Sequence, residues 1–283
     1  MTQPPVFADA DRLAMADAFP NRPVKVRHSL SGDRRLALPQ LIELAGRLPA
    51  NPCHEYTASD IDKSQPDEEK IPGTGLSFVD TIRTMGERQS WAAIRSFQHD
   101  PEYKALLDHC IKESGIAEAI PSGRTYMHDG FFFITSPNGV TPFHVDPEYN
   151  ILLQIEGRKS FYVFPANDPE IMSERDQEDF YVDGKKNLAF DDARFPEKGQ
   201  RFDLGPGDAL FVPVKMPHWV QNGSEISISL SVTWRSEETD RERRIFLSNR
   251  RLRGVGAPAS LLARSDISDR VKALAGRLID RLS

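Results

Sequence analysis

His144 and Asp146 stand two residues apart in the run Thr-Pro-Phe-His-Val-Asp-Pro that begins at Thr141. In an extended strand residues i and i+2 project from one face, so an imidazole and a carboxylate would share one space. A metal would need a third ligand, and His218, in Val-Pro-Val-Lys-Met-Pro-His-Trp, is the best candidate on a later strand. Two imidazoles and one carboxylate on one side of an ion leave the other positions open, the arrangement that suits non-haem Fe(II) activating oxygen. The pair taken alone has a plainer reading, a histidine satisfied by a neighbouring carboxylate.

Lys159 adds a second kind of chemistry. It shares strand parity with Phe161 and Val163, so if those two face an interior, its ammonium does as well. An inward ammonium is costly unless an anion meets it, and a dicarboxylate cosubstrate reaching the metal would supply one. The other reading is that Lys159 snorkels to the rim from the end of a hairpin. His28, His54, His99 and His109 are isolated and read as surface or satisfied residues, while His128 and Asp129 are adjacent, face opposite ways and make a poor chelate.

The elements that must position these groups lie mostly after residue 120. Phe131 to Thr135, Val140 to Asp146, Asn150 to Ile155, Lys159 to Phe164, Ala209 to Val214 and Ile226 to Trp234 read as short strands. The turns between them include Pro137-Asn138-Gly139, Glu156-Gly157-Arg158, Gly205-Pro206-Gly207-Asp208 and Asn222-Gly223. Six or more short strands at such spacing indicate a β-sandwich or barrel. Residues 166–198 form a long polar insertion with weak periodicity, expected to be irregular or a lid. Residues 1–120 read as a mixed helical region, interrupted by nine prolines before residue 75, with helices expected over 38–47, 77–85 and 101–114. Residues 60–70 read as an exposed acidic loop. Residues 237–283 return to helix, where Arg241-Glu242-Arg243-Arg244 reads as a solvated face and Ile267, Val271, Leu274, Leu278 and Leu282 form an apolar stripe, with Asp266 able to cap its start. The domain organisation expected is 1–120, a β core over 121–236, and a helical segment over 237–283.

At 283 residues the chain can bury a substantial core. A net charge of -6 gives no reason to expect nucleic acid or an anionic membrane. The first residues lack a basic start followed by an apolar core, and no run approaches the ~18 apolar residues of a membrane span, so a cytoplasmic protein is expected. Cys53 and Cys110 are too few for a disulfide framework and are read as free thiols.

Val140 to Asp146, with Asn150, Gln154, Gly157, Lys159, Phe164-Pro165, Gly205 to Asp208, Val212-Pro213, His218 and Trp234, resembles the JmjC and cupin-8-like 2-oxoglutarate oxygenases, and among them the hypoxia-inducible-factor asparaginyl hydroxylase type. The resemblance is dense over about 131–235 and diffuse elsewhere. It implies a mainly β fold, a double-stranded β-helix (jelly-roll) core with a helical N-terminal region and C-terminal helices. It implies Fe(II) held by His144, Asp146 and His218, the distal carboxylate of 2-oxoglutarate held by Lys159 and Thr141, and Asn150 near the metal-proximal carboxylate. Two departures stand out. An asparagine expected two residues before the tryptophan of the last strand is Val232 here, and a cosubstrate tyrosine aligns near Ala93, with Tyr126 as the substitute considered.

The activity so implied is O2-dependent hydroxylation of an unactivated C–H bond, with release of succinate and CO2. A peptide or protein side chain is the favoured substrate and a small metabolite the other. The resemblance also implies a homodimer through the C-terminal helices, against which stands a helix packed on its own barrel. Two rivals remain open: a metal-dependent cupin enzyme that does not use 2-oxoglutarate, and a non-catalytic binding or regulatory module.

Overall fold

Along the last expected strand, small polar residues alternate with large apolar ones, and that alternation divides the whole architecture into an inside and an outside. The strands of the computed structural model are β1 (Val24–Arg27), β2 (His54–Ala58), β3 (Ser90–Arg95), β4 (Tyr126–Thr135), β5 (Val140–His144), β6 (Tyr149–Glu156), β7 (Lys159–Val163), β8 (Gln200–Leu204), β9 (Asp208–Val212), β10 (His218–Asn222) and β11 (Ser227–Arg235). The helices are α1 (Asp9–Ala18), α2 (Leu38–Arg47), α3 (Ala50–Cys53), α4 (Phe78–Arg83), α5 (Pro101–Ser114), α6 (Ile116–Ala119), α7 (Glu174–Asp183), α8 (Glu237–Gly254) and α9 (Asp266–Leu282). The structure describes residues 4–58, 63, 73–122, 124–254 and 266–282, with backbone alone for 266–268 and 278–282. Apart from Lys63, the expected loop over 60–70 lies outside the described residues, as do the side chains of Asp266, Ile267, Leu278 and Leu282.

Strands β9, β6, β11 and β4 run side by side in a larger sheet, and β5, β10, β7 and β8 form a smaller one. All of their pairings are antiparallel, which makes the core a double-stranded β-helix. On β11, Ile228, Leu230, Val232 and Trp234 join the main apolar core, packed with Leu41, Leu44, Phe97, Leu106 and Phe132. Strands β6 and β9 point Ile151, Leu153 and Phe211 the same way. Their opposite faces present Leu152, Leu210 and Val212 to Phe161, Val163, Leu204 and Val220 of the smaller sheet, forming the barrel interior. The polar residues of β11 are satisfied inside: Ser229 Oγ donates to Gln154 Oε1 at 2.8 Å and Ser231 Oγ to Asn150 Oδ1 at 2.6 Å.

The N-terminal region does more than pack on the barrel. β1 pairs with β9, and β3 and β2 extend the larger sheet beyond β4, so that it has seven strands. Among the described residues one apolar core runs from Val6 to Trp234, with members on both sides of residue 120. These strands are four to six residues long; β1 and β3 pair with barrel strands and β2 with β3, and the barrel pairings are long-range contacts that local periodicity does not record. The expected helices do form. In α5 the Asp100 side chain accepts from the N–H of Glu102, Pro101 opens the helix, and Gly115, at φ 68°, ends it.

The insertion is also more ordered than its composition implied. Ser173 and Asp176 form a reciprocal cap at the start of α7. Ile171, Met172, Phe180, Tyr181, Leu188 and Phe195 then pack with Phe143, Val145 and Phe164, and with Phe246 of α8. Arg250 pairs with Asp179 and Asp183, and Arg253 with Glu174 and Glu178, tying α8 to α7. The segment is a packed layer outside the smaller sheet; its aromatic residues are spaced for a surface, not for one helix face. Within the charged run of α8, Glu242 turns inward to Lys215, so the face is not wholly solvated.

Candidate metal centre

The end of β5 and the start of β10 lie opposite each other, with His144 in register with His218. Asp146 follows two residues beyond His144, past the end of the strand. The three converge. Both imidazole Nε2 atoms face the same carboxylate oxygen, Asp146 Oδ2, at 3.7 Å from His144 and 3.6 Å from His218. One ligand atom from each residue lies within 4.8 Å of the others. A carboxylate that merely satisfied a histidine would sit near 2.8 Å. The wider spacing leaves room for an ion at about 2.1 Å from each atom.

The remaining ring nitrogens fix the orientation. His144 Nδ1 donates to the Pro142 carbonyl at 2.7 Å and His218 Nδ1 to the Met216 carbonyl at 2.8 Å, which leaves each Nε2 lone pair free to face the centre. His218 is 4 % exposed and stacks on Phe161, ring centroids 4.9 Å apart. Burial, and then the nearby His144, push its pKa down to about 4, so it is neutral and able to ligate at neutral pH. Burial works to raise the Asp146 carboxyl, but His144, His218 and the Lys186 ammonium outweigh it and hold the group below its ordinary range. The residues thus fit a divalent metal by donor type, spacing and protonation.

Lys159 sits on the same face of β7 as Phe161, in register with Asn222 and Leu204, and is 6 % exposed. Among the described residues its ammonium has no hydrogen bond or ion pair, and burial pushes its pKa down to about 7. Lys159 also borders a cleft of about 470 Å³ that it shares with Arg158, Asp203 and Asn222 at the hairpin end and that contains none of the triad. Asn150 points into the barrel, 8 % exposed, against Ser231. Thr141 is half-buried on β5, opposite Val220 of β10. Tyr126 is engaged elsewhere: its hydroxyl donates to the Ser236 carbonyl at 3.0 Å, where β11 runs into α8.

Val232 faces the outer apolar core beside Trp234, not the barrel. The residue in register with Asn150 on β11 is Thr233, so counting back from the tryptophan selects the wrong face of the strand. Ala93 is buried on β3 opposite Phe133. His28, His54, His99, His109 and His128 each make a hydrogen bond away from the triad, and Cys53 and Cys110 are free and buried. Two lysines escaped the sequence reading. Lys186, from the insertion, places its ammonium 3.6 Å from Asp146 Oδ1, the oxygen turned away from the imidazoles, and Lys215 gives its N–H to the Asp146 carbonyl at 3.0 Å. Only Lys215, two residues before the histidine's neighbour Pro217, had a positional signal.

Fold and site together define a double-stranded β-helix protein with a His-x-Asp…His cluster of metal-ligand type at one end of its barrel. A cupin-like domain model matches residues 15–240, and the chain belongs to that family. It is 31 % identical over 121 residues to HSPB1-associated protein 1 of Bos taurus, covering 40 % of this chain and 25 % of that protein. It is 32 % identical over 100 residues to lysine-specific demethylase 8 of Xenopus tropicalis, covering 34 % and 22 %. The chain therefore spans about a quarter of the length of these relatives. The X-ray structure of E. coli ycfD matches 99 % of this chain and 69 % of that one at TM-score 0.56 and 17 % identity, a likeness of fold.

Proposed function

We propose that this protein is an Fe(II)- and 2-oxoglutarate-dependent oxygenase that hydroxylates an unactivated C–H bond of a peptide or protein side chain. The observation that carries the reading is a pair of features in one barrel: three convergent ligands at one end, and on the same inner strand face a buried ammonium with no anion among the described residues. Fe(II) with 2-oxoglutarate supplies the oxidation, in which one atom of O2 enters the C–H bond and the other enters the succinate formed as CO2 leaves. His144, Asp146 and His218 would hold the metal, and three protein ligands would leave positions for the cosubstrate and O2. Lys159 and the Thr141 hydroxyl would receive the distal carboxylate, and Asn150, oriented by Ser231, would serve the proximal one. Leu152, Phe161, Val163 and Val212 line the interior and exclude water from between the two ends. A protein substrate is supported by the name lysine-specific demethylase 8 carried by one relative. A homodimer through α9 is supported by Val271 and Leu274, exposed at 61 % and 62 %. No helix among the described residues is long and apolar enough to cross a membrane.

The test is succinate formation from 2-oxoglutarate with Fe(II) and O2, in the wild type and in Asp146→Ala and Lys159→Ala. Wild-type turnover lost in both variants is expected. Metal-dependent turnover that survives Lys159→Ala would instead identify a cupin enzyme that does not use 2-oxoglutarate, and no metal uptake at all would identify a binding module. A gain of one oxygen atom on lysate peptides, against none on small metabolites, decides the substrate class.

A further inference from the structure

Asp146 is the one member of the triad outside a strand, and something other than a sheet ladder must hold it. Its carbonyl accepts from the N–H of Lys215, in the loop just before His218, so the loops that carry two of the three ligands meet at that bond. Lys215 has φ 64°, a left-handed conformation that side chains rarely adopt, and its side chain is 5 % exposed. The ammonium leaves the barrel altogether. It donates to Gln177 Oε1 of α7 at 3.0 Å and to Glu242 Oε1 of α8 at 2.5 Å, and the other Glu242 oxygen accepts from the Tyr181 hydroxyl at 2.9 Å. The insertion, the C-terminal helix and the two ligand loops therefore share one buried cluster.

Resting on the metal-centre reading above, we infer that Lys215, Glu242 and Tyr181 are positioning residues that set the Asp146 and His218 loops and through them the affinity and geometry of the bound metal. An ion pair is a poor device for stability in this layer, which already packs Val145, Phe180 and Phe246 and would accept apolar side chains. A directional fork of hydrogen bonds does what apolar packing does not: it selects one backbone conformation at a residue strained at φ 64°. Polar groups behind a ligand shell typically change metal affinity ~10–100-fold when removed.

Co(II) is the probe, titrated into the full chain, with affinity taken from competition with a chelator and geometry from the ligand-field absorption band, beside thermal melts without metal. In Lys215→Met/Glu242→Leu both charges leave together, so the melt should stay within a few degrees of wild type while Co(II) affinity falls about ten- to a hundredfold and the band shifts. Tyr181→Phe removes one hydrogen bond, keeps the aromatic packing, and should weaken Co(II) binding a fewfold. Lys215→Arg, which keeps the cation, should recover most of the affinity. Wild-type affinity and band in the double variant, or in Tyr181→Phe should the double variant fail to fold, overturn the inference. If the wild type binds Co(II) and His144→Ala does not, that failure belongs to the inference alone; if the wild type binds none, the metal reading falls and takes the inference with it.

Discussion

Two lysines are buried to nearly the same degree on opposite sides of the smaller sheet, Lys159 at 6 % and Lys215 at 4 % exposure, and their surroundings differ completely. Lys215, in the outer layer, has a carboxylate and an amide oxygen on its ammonium. Lys159, inside the barrel, has neither among the described residues, and its pKa is pushed to about 7 by burial alone. A buried charge whose partners are all supplied by the chain belongs to the architecture, whereas one left without a partner marks the place where a ligand must bring the missing charge. Among the described residues the outer layer is thus complete as it stands, and under the proposed function the barrel interior receives an anion.

That contrast can be broken most directly with metal-free denaturant melts. Lys215→Met should lower stability by about 3 kcal/mol, because Glu242 is left part-buried without its cation. Lys159→Met should leave stability unchanged or raise it, and equal losses in the two variants would erase the distinction. Next in size, Lys159→Ala should weaken 2-oxoglutarate binding by about 2 kcal/mol, some 30-fold, with Co(II) affinity unaltered, as read by isothermal titration.

A pH series sharpens the same point. Free Lys159 keeps its proton only below about 7, and an anionic cosubstrate needs the protonated form. Cosubstrate affinity should therefore be flat below pH 7 and decline by up to about tenfold per pH unit above it. Stability of the metal-free protein should move the opposite way. The unfolded chain holds that proton up to the ordinary lysine range, the folded chain releases it above about 7, and stability gains as pH rises through that window. Both trends should vanish in Lys159→Met. The smallest effect expected is from Ser231→Ala, which frees the Asn150 amide at a cost of about 1 kcal/mol in stability and a minor loss of cosubstrate affinity.

The β core was legible because its signal is local. Period-two alternation on β7 and β11, with turns at Gly157 and Gly207, holds whatever the chain folds against. The same parity put Lys159 on the face of Phe161, and its burial in the fold decided against the rim. β1 to β3 lie in the mixed region, outside its expected helices, and left no strand signal because strands of four to six residues at the flanks of a sheet owe their form to partners far along the chain. The insertion misled for a related reason: its aromatic residues are scattered in sequence and become a core only against Phe143, Phe164 and Phe246.

Residue order alone therefore determined the ligand types, the two-residue spacing of His144 and Asp146, and the face that Lys159 shares with Phe161, since each depends on neighbours within a few positions. Tertiary structure alone decided that His218 meets the His144 and Asp146 pair, that Thr233 and not Val232 faces Asn150, and that Lys186 and Lys215 stand behind the aspartate. Those facts rest on how separate strands register and which loops abut, and long-range pairing leaves no mark in local periodicity.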